Sequence, residues 1–207
     1  MVMRVIRHYD EIPGELKHSV VAIGNFDGVH LGHQAVIGEA RSFAEATGAP
    51  LAVLTFEPHP RVLFQRETQS FRLTPFRAKV IQMSEQRVNL LVAVHFDKAF
   101  AAKTAEEFIR DVLVEGFAAR HVVTGYDFVF GKGRYGDAGL LQRAAGELGF
   151  SFTQVPALRQ ADGGNGELGS IYKSTTIREH LLAGRPLEAA RQLGRWWEVD
   201  GRVQRGA

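Results

Sequence analysis

An apolar run, Val20-Val21-Ala22-Ile23, breaks at once into Gly24-Asn25-Phe26-Asp27-Gly28-Val29-His30-Leu31-Gly32-His33 and then into a helical pattern. This succession constrains the chain more than any other feature. A strand that turns straight into a helix exposes the first backbone N–H groups of that helix, and with the helix dipole they favour an anion. Two imidazoles three residues apart stand at that point. The segment predicts a site for the phosphates of a nucleotide, with Gly32 expected to spare the phosphates a crowding Cβ. Two ordinary surface histidines, or two metal ligands, are the alternatives, and no cysteine or nearby third ligand supports a metal.

The rest of the sequence repeats the alternation. Apolar strand candidates at 20–24, 51–56, 90–95, 121–125 and 152–156 are separated by helical stretches near 32–47, 75–87, 104–116 and 136–149. Short apolar strands with intervening helices predict a mainly parallel sheet covered on both faces. Thr104-Ala105-Glu106-Glu107 has the pattern of a capping box, and so does Thr176-Ile177-Arg178-Glu179. The second helix is expected to stop at Gly184, and Pro186 to open a further one ending at Gly194. Residues 157–173, with four glycines, read as a mobile loop.

The 207 residues suffice for one α/β domain with a short appendage. Cysteine is absent, which excludes disulfides, thiolate metal sites and a cysteine nucleophile. A net charge of +2 without a basic cluster gives no reason to expect nucleic acid. The N-terminal residues show neither a signal peptide nor a membrane span, so a cytoplasmic protein is expected.

Three more segments carry chemistry. Phe56-Glu57-Pro58-His59-Pro60 follows the second predicted strand, where open α/β sheets bind ligands, and its prolines make a stiff wall suited to a flat apolar ring. A rigid turn is the plainer alternative. Gly125-Tyr126-Asp127-Phe128-Val129-Phe130-Gly131 follows the fourth predicted strand, with Asp127 as a hydrogen-bonding group for a base or ring edge. Next comes Gly131-Lys132-Gly133-Arg134-Tyr135-Gly136. It fails as a dinucleotide fingerprint, because Pro156 stands where a ribose-binding acid would be, and it fails as a P-loop. It reads as a flexible basic loop touching phosphates. Lys173-Ser174-Thr175-Thr176-Ile177-Arg178 opens a helix with hydroxyls and a guanidinium, a second anion site or plain N-capping.

His30-Leu31-Gly32-His33 matches the HxGH pattern of nucleotidyltransferases. Together with Thr55–Pro60, Leu73-Thr74-Pro75 with Lys79, Gly125–Gly131 with Arg134, Gly136-Asp137, and Ser174–Arg178, it resembles the FMN adenylyltransferase (FAD synthetase) module of bacterial bifunctional riboflavin kinase/FAD synthetases. The resemblance runs in order over roughly residues 20–195. It implies a Rossmann-like nucleotidyltransferase domain that transfers AMP from ATP to FMN, giving FAD and pyrophosphate. His30, His33, Ser174, Thr175 and Arg178 are then ATP residues, with His30, His33 and Arg178 in the catalytic roles. Gly24, Asn25, Phe26, Asp27, Gly28, Gly125 and Asp127 complete the expected ATP site. Phe56, Pro58, His59, Pro60 and Phe64, again with Asp127, form the expected FMN site. Mg²⁺ is expected with ATP, held mainly by its phosphates.

Two departures stand out. Lys173 occupies a position where the family usually has a serine, which implies a modest change at the ATP edge. Family members also continue into a β-barrel riboflavin kinase. Leu193-Gly194-Arg195 and Gly201-Arg202-Val203 resemble its opening, so the expected division is a domain over 1–194 and a tail over 195–207, with Trp196 and Trp197 exposed or unpaired and no kinase activity. Two other possibilities stay open: an adenylyl- or cytidylyltransferase for another phosphorylated small molecule, and a non-catalytic flavin- or nucleotide-binding module.

Overall fold

The computed structural model describes residues 2–64, 72–160, 169–199 and 201. Within them six strands form one all-parallel sheet: β1 (Arg4–Ile6), β2 (Val20–Ile23), β3 (Leu51–Glu57), β4 (Leu90–His95), β5 (His121–Gly125) and β6 (Ser151–Val155). Their order is β1-β4-β3-β2-β5-β6. Parallel neighbours need long crossovers, which the intervening helices supply. These are α1 (Leu31–Thr47), α2 (Pro60–Phe64), α3 (Phe76–Glu85), α4 (Lys98–Ala101), α5 (Ala105–Glu107) and α6 (Ala138–Leu148). Two more, α7 (Ser174–Leu182) and α8 (Pro186–Leu193), follow the sheet. Helix α5 runs on as a π-helix over Phe108–Gly116.

Side chains alternate across each strand and so divide the core in two. Val21, Ile23, Leu54 and Val92 face the π-helix (Ile109, Val112, Leu113) and α6 (Leu141, Ala145). Val20, Ala22, Val53 and Leu91 face α1, whose Val36, Ile37, Ala40 and Ala44 keep to one side. A third, smaller cluster joins Ile177 of α7 and Ala189 and Leu193 of α8 to Leu73. It fastens the C-terminal helices beside the loop that leaves β2.

The α/β fold expected from the sequence is present, as is the capping box at Thr104, where both reciprocal bonds form. Strand β1 was not anticipated: it is three residues long, half exposed and on the sheet edge, so no apolar pattern marks it. Helix α7 does not begin at Thr176. It begins at Ser174, whose hydroxyl donates to the main-chain oxygen of Asp27 (2.8 Å), so a long-range bond fixes the helix entry. In the loop over 157–173, Gly163, Gly164 and Gly166 lie outside the described residues. Its two ends pair with each other, Gln160 N–H donating to Ser170 O (2.9 Å) and Tyr172 N–H to Leu158 O (3.2 Å).

The segment 131–136 is a folded turn rather than a flexible loop. Phe130 and Gly136 exchange backbone bonds of 3.0 and 2.9 Å across it. A Cβ at Gly131 (φ 73°) would stand 2.7 Å from the Ala105 backbone, so only glycine fits. Arg134 reaches the cleft lining and Lys132 does not. Among the described residues no helix is long and apolar enough to cross a membrane.

Candidate active site

The chain runs from β2 outward through β3 to β4, then returns to add β5 and β6 on the other side. The reversal lies between β2 and β5, which pair Ile23 with Thr124. A crevice opens at the carboxyl ends of strands where such an order reverses. Here it is a cleft of about 960 Å³, large enough for a sizeable ligand.

At one end the loop after β2 carries the two histidines. His30 is the N-cap of α1, and its Nδ1 accepts the His33 N–H (3.3 Å). The two rings stack at 3.6 Å with planes 18° apart, and Phe26 meets His33 edge-on. A Cβ at Gly32 would lie 3.2 Å from the His30 ring and 3.4 Å from Tyr172. The protein's own side chains already crowd that position.

Burial is the first cause that lowers His30 from 6.5 to about 4; Asp27 opposes it, while Arg178 and Arg195 add to it. Burial, then the neighbouring His30 and Lys79, holds His33 well below its ordinary value. Both rings are therefore neutral near pH 7. With Nδ1 of His30 accepting, its proton sits on Nε2, a donor suited to a phosphate oxygen.

The turn between these elements is strained and heavily bonded. Phe26 (φ 48°), Gly28 (φ 89°) and Val29 (φ 41°) all lie in the left-handed region. For a β-branched valine this costs roughly 1–3 kcal/mol and persists only where the surroundings enforce it. Asp27 supplies much of that enforcement. Its buried carboxylate accepts the Leu73 and Thr74 N–H groups (3.0 and 3.1 Å) and pairs with Arg178. Gly28 N–H donates to Thr74 Oγ1 (2.9 Å). Gly28 is accordingly absent from the cleft lining, contrary to expectation, while Gly24, Asn25, Phe26, Asp27, His30 and His33 are on it. Arg178, expected to hold phosphates, is engaged with Asp27 at the cleft wall. Ser174 and Thr175 line the same end.

Behind the loop, buried Lys79 donates to Asn25 O (3.0 Å) and to Glu57 Oε1 (3.0 Å), and Glu57 also pairs with Arg72. Burial lowers the Lys79 pKa against the pull of Glu57. This link ties the end of β2 to the end of β3. The sequence carried a signal for it: Lys79 stands four residues before Met83 on one helical face, both buried, while Ile81 is 51% exposed.

The other end of the cleft is aromatic. Phe56, Phe96, Phe100, Phe108, Phe130 and Phe128 follow one another with ring centroids 5.1 to 6.2 Å apart, mostly tilted or edge-on. Phe64 joins through Phe96 at 6.2 Å. Phe56, His59, Pro60 and Phe64 lie on the lining as expected, but Pro58 does not. His59 Nδ1 accepts the Arg61 N–H (3.1 Å), and burial lowers this ring to about 4. Phe96, Phe100 and Phe108 are not among the expected site residues; they come from the end of β4, from α4 and from the π-helix, and no motif marks them. Gly125 and Asp127 sit on the lining where β5 ends, between the two halves.

Beyond α8, Trp196 is 63% and Trp197 39% exposed, in keeping with the expectation that they be exposed or unpaired, though Trp197 also donates its indole N–H to Leu73 O (2.9 Å). Arg195 donates to Gly28 O (2.8 Å) and Val29 O (3.4 Å).

Comparison with known proteins gives a consistent picture. The chain is 36% identical over 205 residues to the bifunctional riboflavin kinase/FMN adenylyltransferase of Escherichia coli K12, a match that covers 99% of this chain and 63% of that protein. The Haemophilus influenzae protein of the same name is 35% identical over 211 residues, covering 99% and 64%. The chain thus spans a little under two thirds of the length of these curated relatives. A crystal structure of a protein named macrolide-efflux protein, from Streptococcus pneumoniae, superposes with a TM-score of 0.77 at 26% identity, over 94% of this chain and 60% of that one. The family model described as FAD synthetase matches residues 12–165, from before β2 through β6. With that match taking in the strained turn, the histidine pair and the aromatic wall, the chain belongs to the FAD synthetase family.

Proposed function

We propose that the protein transfers AMP from ATP to FMN, forming FAD and releasing pyrophosphate, in the cytoplasm. One observation carries this: a single cleft joins a helix N-terminus with two stacked neutral imidazoles to a continuous wall of phenylalanines. A triphosphate fits the first and an isoalloxazine ring the second. The names of the relatives, which include FMN adenylyltransferase, support the same assignment.

An FMN phosphate has its second pKa near about 6, so it arrives mostly as a dianion and needs no general base. One of its oxygens attacks the ATP α-phosphorus. The bond to the bridging oxygen breaks, and pyrophosphate leaves with that electron pair. Catalysis then consists of alignment and charge stabilisation. The α1 N-terminus and the imidazoles of His30 and His33 stabilise charge on the phosphates, and phosphate charge beside the rings raises their affinity for protons. Arg178, held by Asp27, with Ser174 and Thr175 at the start of α7, borders the same phosphates. Phe56, Pro60, Phe64 and the phenylalanines beyond them hold the flavin.

Among the described residues no three His, Asp or Glu side chains come together to hold a metal ion. Asp27, beside the phosphate site, is already bonded to two amides and Arg178. Mg²⁺ would enter with ATP, held mainly by its phosphates, and no step is assigned to it.

The test is incubation with FMN and MgATP, followed by chromatography for FAD and assay of pyrophosphate. Equal amounts of both products are expected. Quenching of flavin fluorescence without FAD would point instead to a binding module. AMP transfer to another phosphorylated acceptor, but not to FMN, would move the protein to a different substrate.

A further inference from the structure

The turn Asp27–His30 carries both the backbone strain and the first catalytic imidazole, and much of its support comes from far along the chain. Arg195 donates one guanidinium nitrogen to Gly28 O (2.8 Å) and the other to Val29 O (3.4 Å), the carbonyls of the two adjacent left-handed residues. Gln34 adds a bond to Val29 O (2.9 Å) and one to Leu193 O (3.1 Å), so the turn and the end of α8 share a partner. Gly194 lets the chain double back there: a Cβ on it would strike Leu31 at 2.7 Å. Trp197 then holds Leu73 O (2.9 Å), while the N–H of the same Leu73 goes to Asp27. The turn is gripped from two sides, through its carbonyls and through the peptide that binds its aspartate.

On the footing of the AMP transfer described above, we propose that Arg195 and Trp197 are positioning residues for that reaction, and that the catalytic unit therefore extends past residue 194 through Trp197. The two side chains enforce the Gly28–Val29 conformation that sets His30 at the head of α1 and under His33. Neither needs to touch a substrate. They stand beyond the family match, which ends at residue 165, and beyond the boundary expected from the sequence. A planar guanidinium suits the task because it presents fixed, diverging donors to two carbonyls, which a single ammonium does not.

The experiment uses the full chain and the FAD-forming assay, with folded fraction from thermal melting and His30 titration from proton NMR. Arg195→Met is expected to lower kcat about tenfold while the FMN KM stays within about twofold, because a displaced turn misaligns phosphate and leaves the flavin wall intact. Removing the positive charge also raises the pKa of His30, which otherwise faces Asp27, Arg178 and His33, with Lys79 behind His33. Arg195→Lys keeps the charge, so His30 titrates near its wild-type position and kcat falls between the two. Trp197→Phe, which deletes only a hydrogen-bond donor, lowers kcat about two- to threefold with FMN KM unchanged.

Wild-type kcat and His30 titration in Arg195→Met would overturn the proposal, as would a loss of activity that merely tracks the folded fraction. If Arg195→Met does not fold, Arg195→Lys decides: reduced kcat in fully folded protein supports the role, and wild-type kcat removes it. Wild-type kcat in Trp197→Phe would strike out Trp197 alone. If the wild-type chain forms no FAD, the transfer assignment fails. A His30 titration displaced in charge-conserving Arg195→Lys would then still show that Arg195 governs the turn, and a wild-type titration there would remove that role as well.

Discussion

The two ends of the cleft are built by opposite means. The histidine end is polar and over-determined: a strained turn is held by Asp27, Arg178, Lys79 and Arg195 through charged hydrogen bonds, and its imidazoles are kept neutral by burial. The aromatic end is apolar, with rings from five segments touching in series and no ion pair among them. Charge chemistry needs atoms fixed against their own desolvation cost, so that end is crowded with partners. A flat ring needs area and tilt, which several interchangeable phenylalanines can supply.

If this contrast is right, damage to the first end should be steep and damage to the second shallow. Asp27→Ala removes a buried carboxylate from partly buried Arg178 and from two amides, and should cost about 3–5 kcal/mol in a urea melt, with FAD formation lost alongside. Phe64→Ala removes a ring that is 69% exposed and touches the wall through Phe96. It should raise the FMN KM about three- to tenfold, leave the ATP KM unchanged, and shift stability by no more than about 0.5 kcal/mol. An equal stability loss in the two variants would erase the distinction.

Acidity should sharpen it. His30 and His59 titrate near 4 in the folded protein and near 6.5 when unfolded. Between those values the unfolded chain binds more protons, so stability is full above about pH 6.5 and declines as pH falls toward 4. The slope approaches about 1.4 kcal/mol per pH unit for each group. Thermal melts from pH 7 to 4.5 should show it. His59→Gln should flatten the curve less than loss of both rings.

The same contrast explains what the sequence disclosed. The histidine end is written in one run, Gly24 to His33, because a strand–turn–helix junction is local, and the strands could be found because each is a short apolar block. The aromatic end is not contiguous. Phe96, Phe100 and Phe108 converge only after β4 and the π-helix are placed, and no spacing in the chain announces that. Residues with two possible uses are harder to read. Gly28 lies in the right motif, yet its amide is spent on Thr74. Ser174, the first residue of α7, bonds to the main chain of Asp27 instead of to its own helix. Strand β1 escaped notice because an exposed edge of three residues need not be apolar.

The central claim is that separate walls of one cleft hold the triphosphate and the flavin. His33→Ala tests it most directly when FMN affinity, by flavin fluorescence, and the rate of FAD formation are measured on the same protein. The account predicts FAD formation slowed by about 10²–10³ with FMN bound as tightly as in the wild type. Undiminished FAD formation, or FMN binding lost in parallel with the rate, would contradict it.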